Sequence, residues 1–510
     1  MLATMLVAQI GSIREETQTW DEATLLAAGY SYWKTGDYRM NRAHPPLWKL
    51  ACAFPLLFLD LRVPLDDPSW EKRDDTAFGT AFLYHNRRSS DDILFPARCV
   101  TIALSLGLAV LVALWTKRRA GTLAGLIALT LVAFDPNILA HGRYVTTDLA
   151  AAAFSFLACI LWESALGRPT SLRFLAAGLA LGVAVAVKFS ALFVLPVCLV
   201  LTLLRPPPPK ALARGLSVAF AALVALLLAC YRGAGSVYLD GLHELAEHNA
   251  TGHESYLLGT ISSSGWRYYF PVAFAVKVPF AVLLLGALAA WALWRKRGDP
   301  RAHAVLIVPL VIFAAIALFT RIDIGIRHLL PLFPFLYAGL AIVLARRVPA
   351  ALVALGLFAL VAESLAVYPN YLAFFNLAAG GPARGPLYLL DSNIDWGQAT
   401  KKLRAWLDAH GNPRVCGAYF GNALPAYYGI DEAPVPASAR AAARTGCVVA
   451  VSVTPLYGLY APGDPYRWLR AHEPLARVGY SIYVYDFRAG RVSLSSGRGG
   501  PDRRRRLSLH

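Results

Sequence analysis

Ten apolar stretches follow one another through the middle of the chain, at about 95–115, 120–135, 145–163, 172–188, 190–204, 212–230, 270–294, 303–320, 327–345 and 349–366. A run of roughly 20 apolar residues is the length a helix needs to cross the ~30 Å hydrocarbon core of a bilayer. In lipid, helices and closed barrels are the structures that satisfy every backbone group internally. The pattern therefore predicts a polytopic α-helical membrane protein with 10 or 11 spans. Composition agrees: 57% of residues are hydrophobic, above the ~45–50% of soluble domains.

The net charge of +17 invites a nucleic-acid reading, which the distribution of the charge argues against. Lys117 to Arg119, Arg168 with Arg173, Arg205 to Arg214, Arg295 to Arg297 with Arg301, and Arg346-Arg347 all fall in short loops. If the spans alternate, these loops share one side, which the positive-inside rule makes cytoplasmic. Residues 14–94, Asp135–Tyr144, the surroundings of Lys188, the loop 231–269, Arg321–His328 and everything after 366 then lie outside. No nucleic-acid partner is expected.

Met1–Ile13 is apolar but too short to span. It reads as the outer end of a first helix whose beginning is missing, or as an interfacial stub, and it lacks the basic start of a signal peptide. Residues 1–94 comprise this truncated first helix and a first outer loop, within which "LACAFPLLFLDL" (50–61) suits the interface plane. Residues 95–366 form the helical core. Residues 367–490 turn polar and predict a small extracytoplasmic α/β unit. Its strands are "RVCGAYFG", "GCVVAVSV" and "YSIYVYDF", and its amphipathic helix "QATKKLRAWLDAHG" closes at Gly411. Residues 491–510 read as a disordered basic tail. Of seven cysteines, Cys52, Cys99, Cys159, Cys198 and Cys230 lie in apolar runs, where Cys packs as a small hydrophobe. Cys416 and Cys447 are either a disulfide or two thiols. No metal-type spacing occurs.

Ionisable groups of both signs converge on the outer face: Asp21, Glu22, Asp37, His44, Lys49, Asp135, His141, Arg143, Asp148, Lys188, His243, His248, Glu254, Lys277, Arg321, Asp323, Arg327, His328, Asp391 and Asp395. Charges at membrane depth are costly and mark function. Snorkelling accounts for a single cation at a helix end. It accounts poorly for Lys188, on the side where cations are disfavoured, and not at all for Asp148, a carboxylate at a helix entrance. Several cations around an outer cavity suit a phosphate at the membrane surface, and a neighbouring carboxylate suits a general base. Asp21-Glu22 begins an expected helix and is equally open to ordinary N-terminal capping. Gly36-Asp37 reads as a turn, and Pro45-Pro46 holds His44 extended.

"WDEATLLAAGYSYWKTGDYRMNRAHPPLWKL", "FDPNILAHGRYVTTDL", "VKFSALF", "GIRHLLPLFPFLYAGLA" and "NYLAFFNLAAGGPARGPLYLLDSNIDWGQATKKL" together resemble the glycosyltransferase family 39-like proteins of the GT-C superfamily. Protein O-mannosyltransferases and lipid A aminoarabinose transferases belong to the same group. The resemblance runs over about 15–430 and is carried by the order, spacing and sidedness of the segments. It implies transfer of a sugar, with inversion, from a polyprenyl-phosphate donor to an acceptor hydroxyl. Asp21 is implied as the base, with Glu22 beside it. Arg143, Lys188, Arg327 and His328 are implied to hold the donor phosphate, Asp148 to orient them or the acceptor, and His44 with Asp37 to shape the sugar or acceptor site. It also implies a bacterial plasma-membrane location with the site facing outward, and a protein, lipid or glycan acceptor. No cofactor is implied, a divalent metal being left open.

Three departures stand out. The first helix is short, Ala43 precedes His44 where many relatives carry an acid, and Thr260 stands where Glu is expected. "DSNIDWGQ" is the most distinctive string in the chain and reads either as a structural cap or as a contact to acceptor or sugar. Two other classes remain: a non-catalytic membrane scaffold with a degenerate site, and a secondary transporter. A transporter would place its groups near the midplane on repeated, broken helices, whereas here they gather at one face without an evident repeat.

Overall fold

The computed structural model describes residues 1–295 and 303–488. The basic loop residues Lys296, Arg297 and Arg301 and the tail 491–510 lie outside the described residues. The chain is a polytopic α-helical membrane protein with a small C-terminal sheet.

Among the described residues, four helices are long and apolar enough to cross a bilayer singly: Ser90–Ala120, Asp148–Gly167, Pro209–Cys230 and Ile326–Arg347. Shorter apolar helices, among them Thr122–Ala133, Ser171–Val187, Ala304–Ala317 and Ala350–Ala366, pack beside them. The expected single span 270–294 is instead a pair, Tyr269–Lys277 and Phe280–Arg295, bent by 106°. The cause is local. Pro279 has no amide hydrogen and drives Val278 into the extended region (φ −76°, ψ 136°). The helix faces that carry Phe220, Leu203, Phe358 and Trp294 are exposed, as lipid-facing surfaces are. The contact between Ser171–Val187 and Pro209–Cys230 uses small residues: a Cβ at Gly178 would lie 2.4 Å from the carbonyl oxygen of Ala219, which is how membrane helices approach closely.

Leu2–Arg14 is a helix of 13 residues. The segment between Leu2–Arg14 and Ser90–Ala120 folds mainly as helices. Glu22–Thr35 packs against Pro46–Ala53, whose first residue is the second proline of the His-Pro-Pro string. Lys49, buried, donates to the Tyr32 hydroxyl at 2.9 Å and the Asn41 carbonyl at 2.6 Å. Phe54 and Phe58, at the end of that hairpin, are exposed.

The hairpin β1 (Ser255–Leu257) and β2 (Thr260–Ser262) turns through Leu258 and Gly259, both at positive φ, as two-residue hairpin loops require. Thr260 closes it with a hydrogen bond to the Leu257 carbonyl. The C-terminal sheet holds β3 (Val415–Ala418), β4 (Glu432–Ala433), β5 (Val448–Ser452), β6 (Ala476–Val478) and β7 (Ile482–Asp486), in the order β4-β3-β5-β7-β6. β3 pairs in parallel with β4 and β5, and β7 antiparallel with β5 and β6. Alternation along β5 gives the sheet two faces. Val449 and Val451 join the core of the helical bundle, while Val448 and Ala450 pack with Leu403 and Leu407 of the helix Thr400–Ala409. The sheet is thus fused to the bundle through one face. Cys416 and Cys447 form a disulfide.

Candidate active site

The start of Asp148–Gly167, the end of Ser171–Val187 and the start of Ile326–Arg347 meet at one end of the bundle. There Lys188 Nζ lies 2.5 Å from Asp148 Oδ1, and Arg327 Nη1 lies 3.4 Å from Asp148 Oδ2 and 3.1 Å from Asp21 Oδ2. Asp148 is 1% exposed, so two cations surround a nearly dry carboxylate. Removing either would strand charge, the situation that makes buried ionic groups costly to break.

Asp21 occupies the N-cap of Glu22–Thr35, but its side chain makes no capping bond. It reaches Arg327 instead and stays a quarter exposed. Burial raises its pKa above the ordinary carboxylate value, Arg327 opposes this, and the charge of Asp148 adds to it. The group is thus a better proton acceptor than a free carboxylate.

Arg327 is held from three directions. The Ile326 amide donates to Asn393 Oδ1 at 3.0 Å, Arg327 Nε donates to Ser392 Oγ at 3.2 Å, and the guanidinium lies 4.3 Å from the centre of the Trp396 ring. All three partners come from the "DSNIDWGQ" string. Its approach is so close that a Cβ on Gly325 would lie 2.3 Å from Ser392 Oγ. The same string ties down the segment before Asp21, since the Trp20 amide donates to the Trp396 carbonyl and the Thr17 amide to the Gln398 carbonyl. Gly397 and Gly421, both at positive φ, touch backbone to backbone, which brings Phe420 to the same place. The string therefore aligns Arg327 with Asp21.

Two cavities meet at Arg327. One, about 280 Å³, is lined by Asp148, Lys188 and His328 at its polar end and by Phe189, Leu192, Phe193, Phe270, Phe313 and Ile316 elsewhere. His328 Nε2 is shielded there with no hydrogen-bond partner. The other, about 580 Å³, is lined by Asp21, Trp20, His253, Asp391, Trp396, Phe420 and Tyr460. Burial pushes the Asp391 carboxyl up to about 6, with Tyr460 and Arg327 opposing. His44 is close to this cluster: burial first, then the charges of Lys188 and Lys49, hold its imidazole neutral, down to about 3. Among the described residues no group of three or more His, Cys, Asp or Glu is placed to hold a metal ion.

Of the residues expected at the site, Asp21, Asp148, Lys188, Arg327 and His328 come together. Three do not. Arg143 is fully buried against Glu16 at 2.8 and 3.0 Å and lines neither cavity. Glu22 is buried against Arg98 at 2.6 and 2.8 Å and also accepts from the amides of Thr19 and Val145. Asp37 pairs with Arg39 at the rim of the first loop. Arg143 and Glu22 are buried with their hydrogen-bonding capacity taken up by partners, and Asp37, about a third exposed, lines neither cavity. Sequence reasoning passed over Arg98 and Glu16. Arg98 had a visible signal, a lone arginine inside an apolar run.

Residues 81–206 match the model of the family described as dolichyl-phosphate-mannose-protein mannosyltransferase. No curated protein matches the chain. Among solved structures, ArnT from Cupriavidus metallidurans bound to undecaprenyl phosphate is 14% identical, with 98% of either chain covered and a TM-score of 0.49. The Archaeoglobus fulgidus oligosaccharyltransferase in the apo form is 12% identical, with 91% of this chain and 72% of that one covered and a TM-score of 0.44. The matched stretch, 81–206, supplies Asp148 and Lys188 to the cluster.

Proposed function

We propose that this protein is an inverting membrane glycosyltransferase that moves a sugar from a polyprenyl-phosphate carrier to an acceptor hydroxyl. The observation that carries the reading is the junction: Asp21 and Arg327 stand where an apolar cavity with a cationic end meets an aromatic cavity with a carboxylate. The apolar cavity suits the first units of a lipid chain, with its phosphate against Lys188, Arg327 and His328. The aromatic cavity suits the acceptor. The family match over 81–206 supports a lipid-linked donor.

Asp21 takes the proton of the acceptor hydroxyl. The oxygen attacks the anomeric carbon from the side opposite the phosphate, the bond from that carbon to the phosphate oxygen breaks, and polyprenyl phosphate leaves. Lys188 and Arg327 stabilise the charge that develops on the leaving group, electrostatic work that is often the largest catalytic contribution. Asp148 holds both cations in place. His44, close to the cluster, helps to shape the sugar site. The basic loops on the opposite end support our reading of the site as extracytoplasmic, in what we take to be a bacterial plasma membrane.

The test is a transfer assay with purified protein in nanodiscs and a panel of polyprenyl-phosphate sugars. Release of free polyprenyl phosphate by wild type and not by Asp21→Asn supports the class and the base. Absence of release from every donor by well-folded protein would replace the reading with that of a non-catalytic scaffold.

A further inference from the structure

The aromatic cavity has a feature that base catalysis does not need. Trp20 stacks on Phe420 (centroids 5.1 Å, 22° between planes), and Phe420 stacks on Tyr460 (5.5 Å, 15°). The three rings form one continuous stack, and all three line the cavity that holds Asp21. Beside the stack lies a polar set with no part in the chemistry above. The Tyr460 hydroxyl is 2.7 Å from Asp391 Oδ2 and 2.9 Å from His253 Nε2. The Tyr460 hydroxyl donates to Asp391 Oδ2, with the Glu254 carbonyl at 3.1 Å, and Asp391 Oδ1 accepts from the Ser392 amide. Asp391 is held there at a positive φ of 57°.

We infer that the acceptor is a saccharide, whose ring lies against the Trp20–Phe420–Tyr460 stack while Asp391 and His253 bind its hydroxyls and its reacting hydroxyl faces Asp21. This rests on the glycosyltransferase reading and names its acceptor class. A sugar ring presents an apolar face of C–H bonds and a rim of hydroxyls. Rigid aromatic rings beside fixed carboxylate and imidazole groups complement both at low conformational-entropy cost. An extended peptide would instead call for backbone donors and acceptors along a strand edge, and the residues lining this cavity meet it with rings and charged side chains. Its volume of about 580 Å³ is in the ~300–1,000 Å³ range of small-molecule sites. Beyond His253 and Tyr460 a second, more open cavity of about 730 Å³ begins at their chain neighbours Glu254 and Ala461. An acceptor of several sugars has room to continue there.

The inference is tested by binding before turnover. Full-length protein in nanodiscs is examined by saturation-transfer NMR with methyl glycosides of glucose, mannose and N-acetylglucosamine, with chitobiose, and with a blocked Ala-Ser-Thr-Ala peptide. Saturable binding of one of the saccharides, weakened at least tenfold by Trp20→Ala and largely retained by Trp20→Phe, supports it. His253→Gln supports it further if affinity for the same saccharide falls several-fold while binding of polyprenyl phosphate is unchanged, a check that the variant is folded. Binding of the peptide alone, binding of no probe, or saccharide binding indifferent to Trp20→Ala overturns it. The two readings fail separately. Transfer from a lipid donor to the peptide would sink the saccharide inference and keep the transferase. Saccharide binding at the stack without release from any donor would sink the transferase and keep the sugar site.

Discussion

Two sets of acid–arginine contacts lie close together here and do different things. In the first, Glu16 with Arg143 and Glu22 with Arg98, no side chain is more than 2% exposed. Glu22 accepts from Arg98 twice and from two backbone amides. Glu16 accepts from Arg143 twice and from the Tyr144 hydroxyl at 3.0 Å. In the second, Asp21 meets Arg327 through one 3.1 Å contact and stays 25% exposed. Basicity follows. For Glu16, burial favours the protonated form but Arg143 and Lys402 outweigh it, and the pKa falls. For Asp21, burial together with Asp148 outweighs Arg327, and the pKa rises. A saturated carboxylate is a clamp; an unsaturated one keeps the capacity to take a proton. The two clamps bracket the segment that ends at Asp21, with Arg98 also binding the Thr17 carbonyl at 2.7 Å.

The largest expected effect falls on chemistry. Asp21→Asn should lower turnover by about 10²–10⁴-fold, the usual worth of a positioned base, with a stability change within the ~0–1 kcal/mol of a partly exposed ion pair. In wild type, turnover should fall on acidification with a midpoint above the ~3.9 of a free aspartate, because the base must be ionised and its pKa is raised. Loss of folding in Asp21→Asn would erase the contrast with the clamps.

Arg98→Ala should do the reverse. It leaves Glu22 buried without its partner, which costs about 3–5 kcal/mol, read as a large drop in the unfolding temperature in detergent. Unchanged stability would show that the pair is not a clamp.

A smaller effect is expected of Arg327→Lys. Charge is kept, but the fork that reaches Asp21, Asp148 and Ser392 is lost, along with stacking on Trp396. Affinity for polyprenyl phosphate, measured by titration, should weaken about tenfold, roughly 1.4 kcal/mol. Equal affinity would reduce Arg327 to a point charge.

The smallest is a pH effect within the "DSNIDWGQ" string. Asp395 is 1% exposed, and its contacts to the Gly397 and Thr454 amides are both 3.4 Å long. Burial pushes its pKa up to about 7. A raised folded-state pKa contributes stability at acidic pH that is lost as pH rises from the unfolded value near ~4 through the folded one. Asp395→Asn should therefore flatten the decline of unfolding temperature across that window. An unchanged slope would place the titration elsewhere.

How far the sequence could be read shows in these residues. The apolar runs and the three main strands were legible because their signals are local: length and alternation. Asp148, Lys188 and Arg327 were legible as unusual charges at helix ends. Arg143, Glu22 and Asp37 lie apart from the cluster, which the sequence could not show, because the type of a charged residue does not reveal how many partners it has. The break in 270–294 carried a local signal, Pro279, that the length of the run concealed.

Sequence alone determined that this chain crosses a membrane many times, gathers carboxylates and cations at one end and closes with a small sheet. Hydrophobic periodicity and charge placement act over a few residues, and the bilayer enforces them. Tertiary structure decided which charge is spent and which is free. Glu22 finds Arg98 across 76 positions, Glu16 finds Arg143 across 127, and Asp21 finds Arg327 across 306. Such pairings are set by where helices end and how they pack, so no window of sequence contains them.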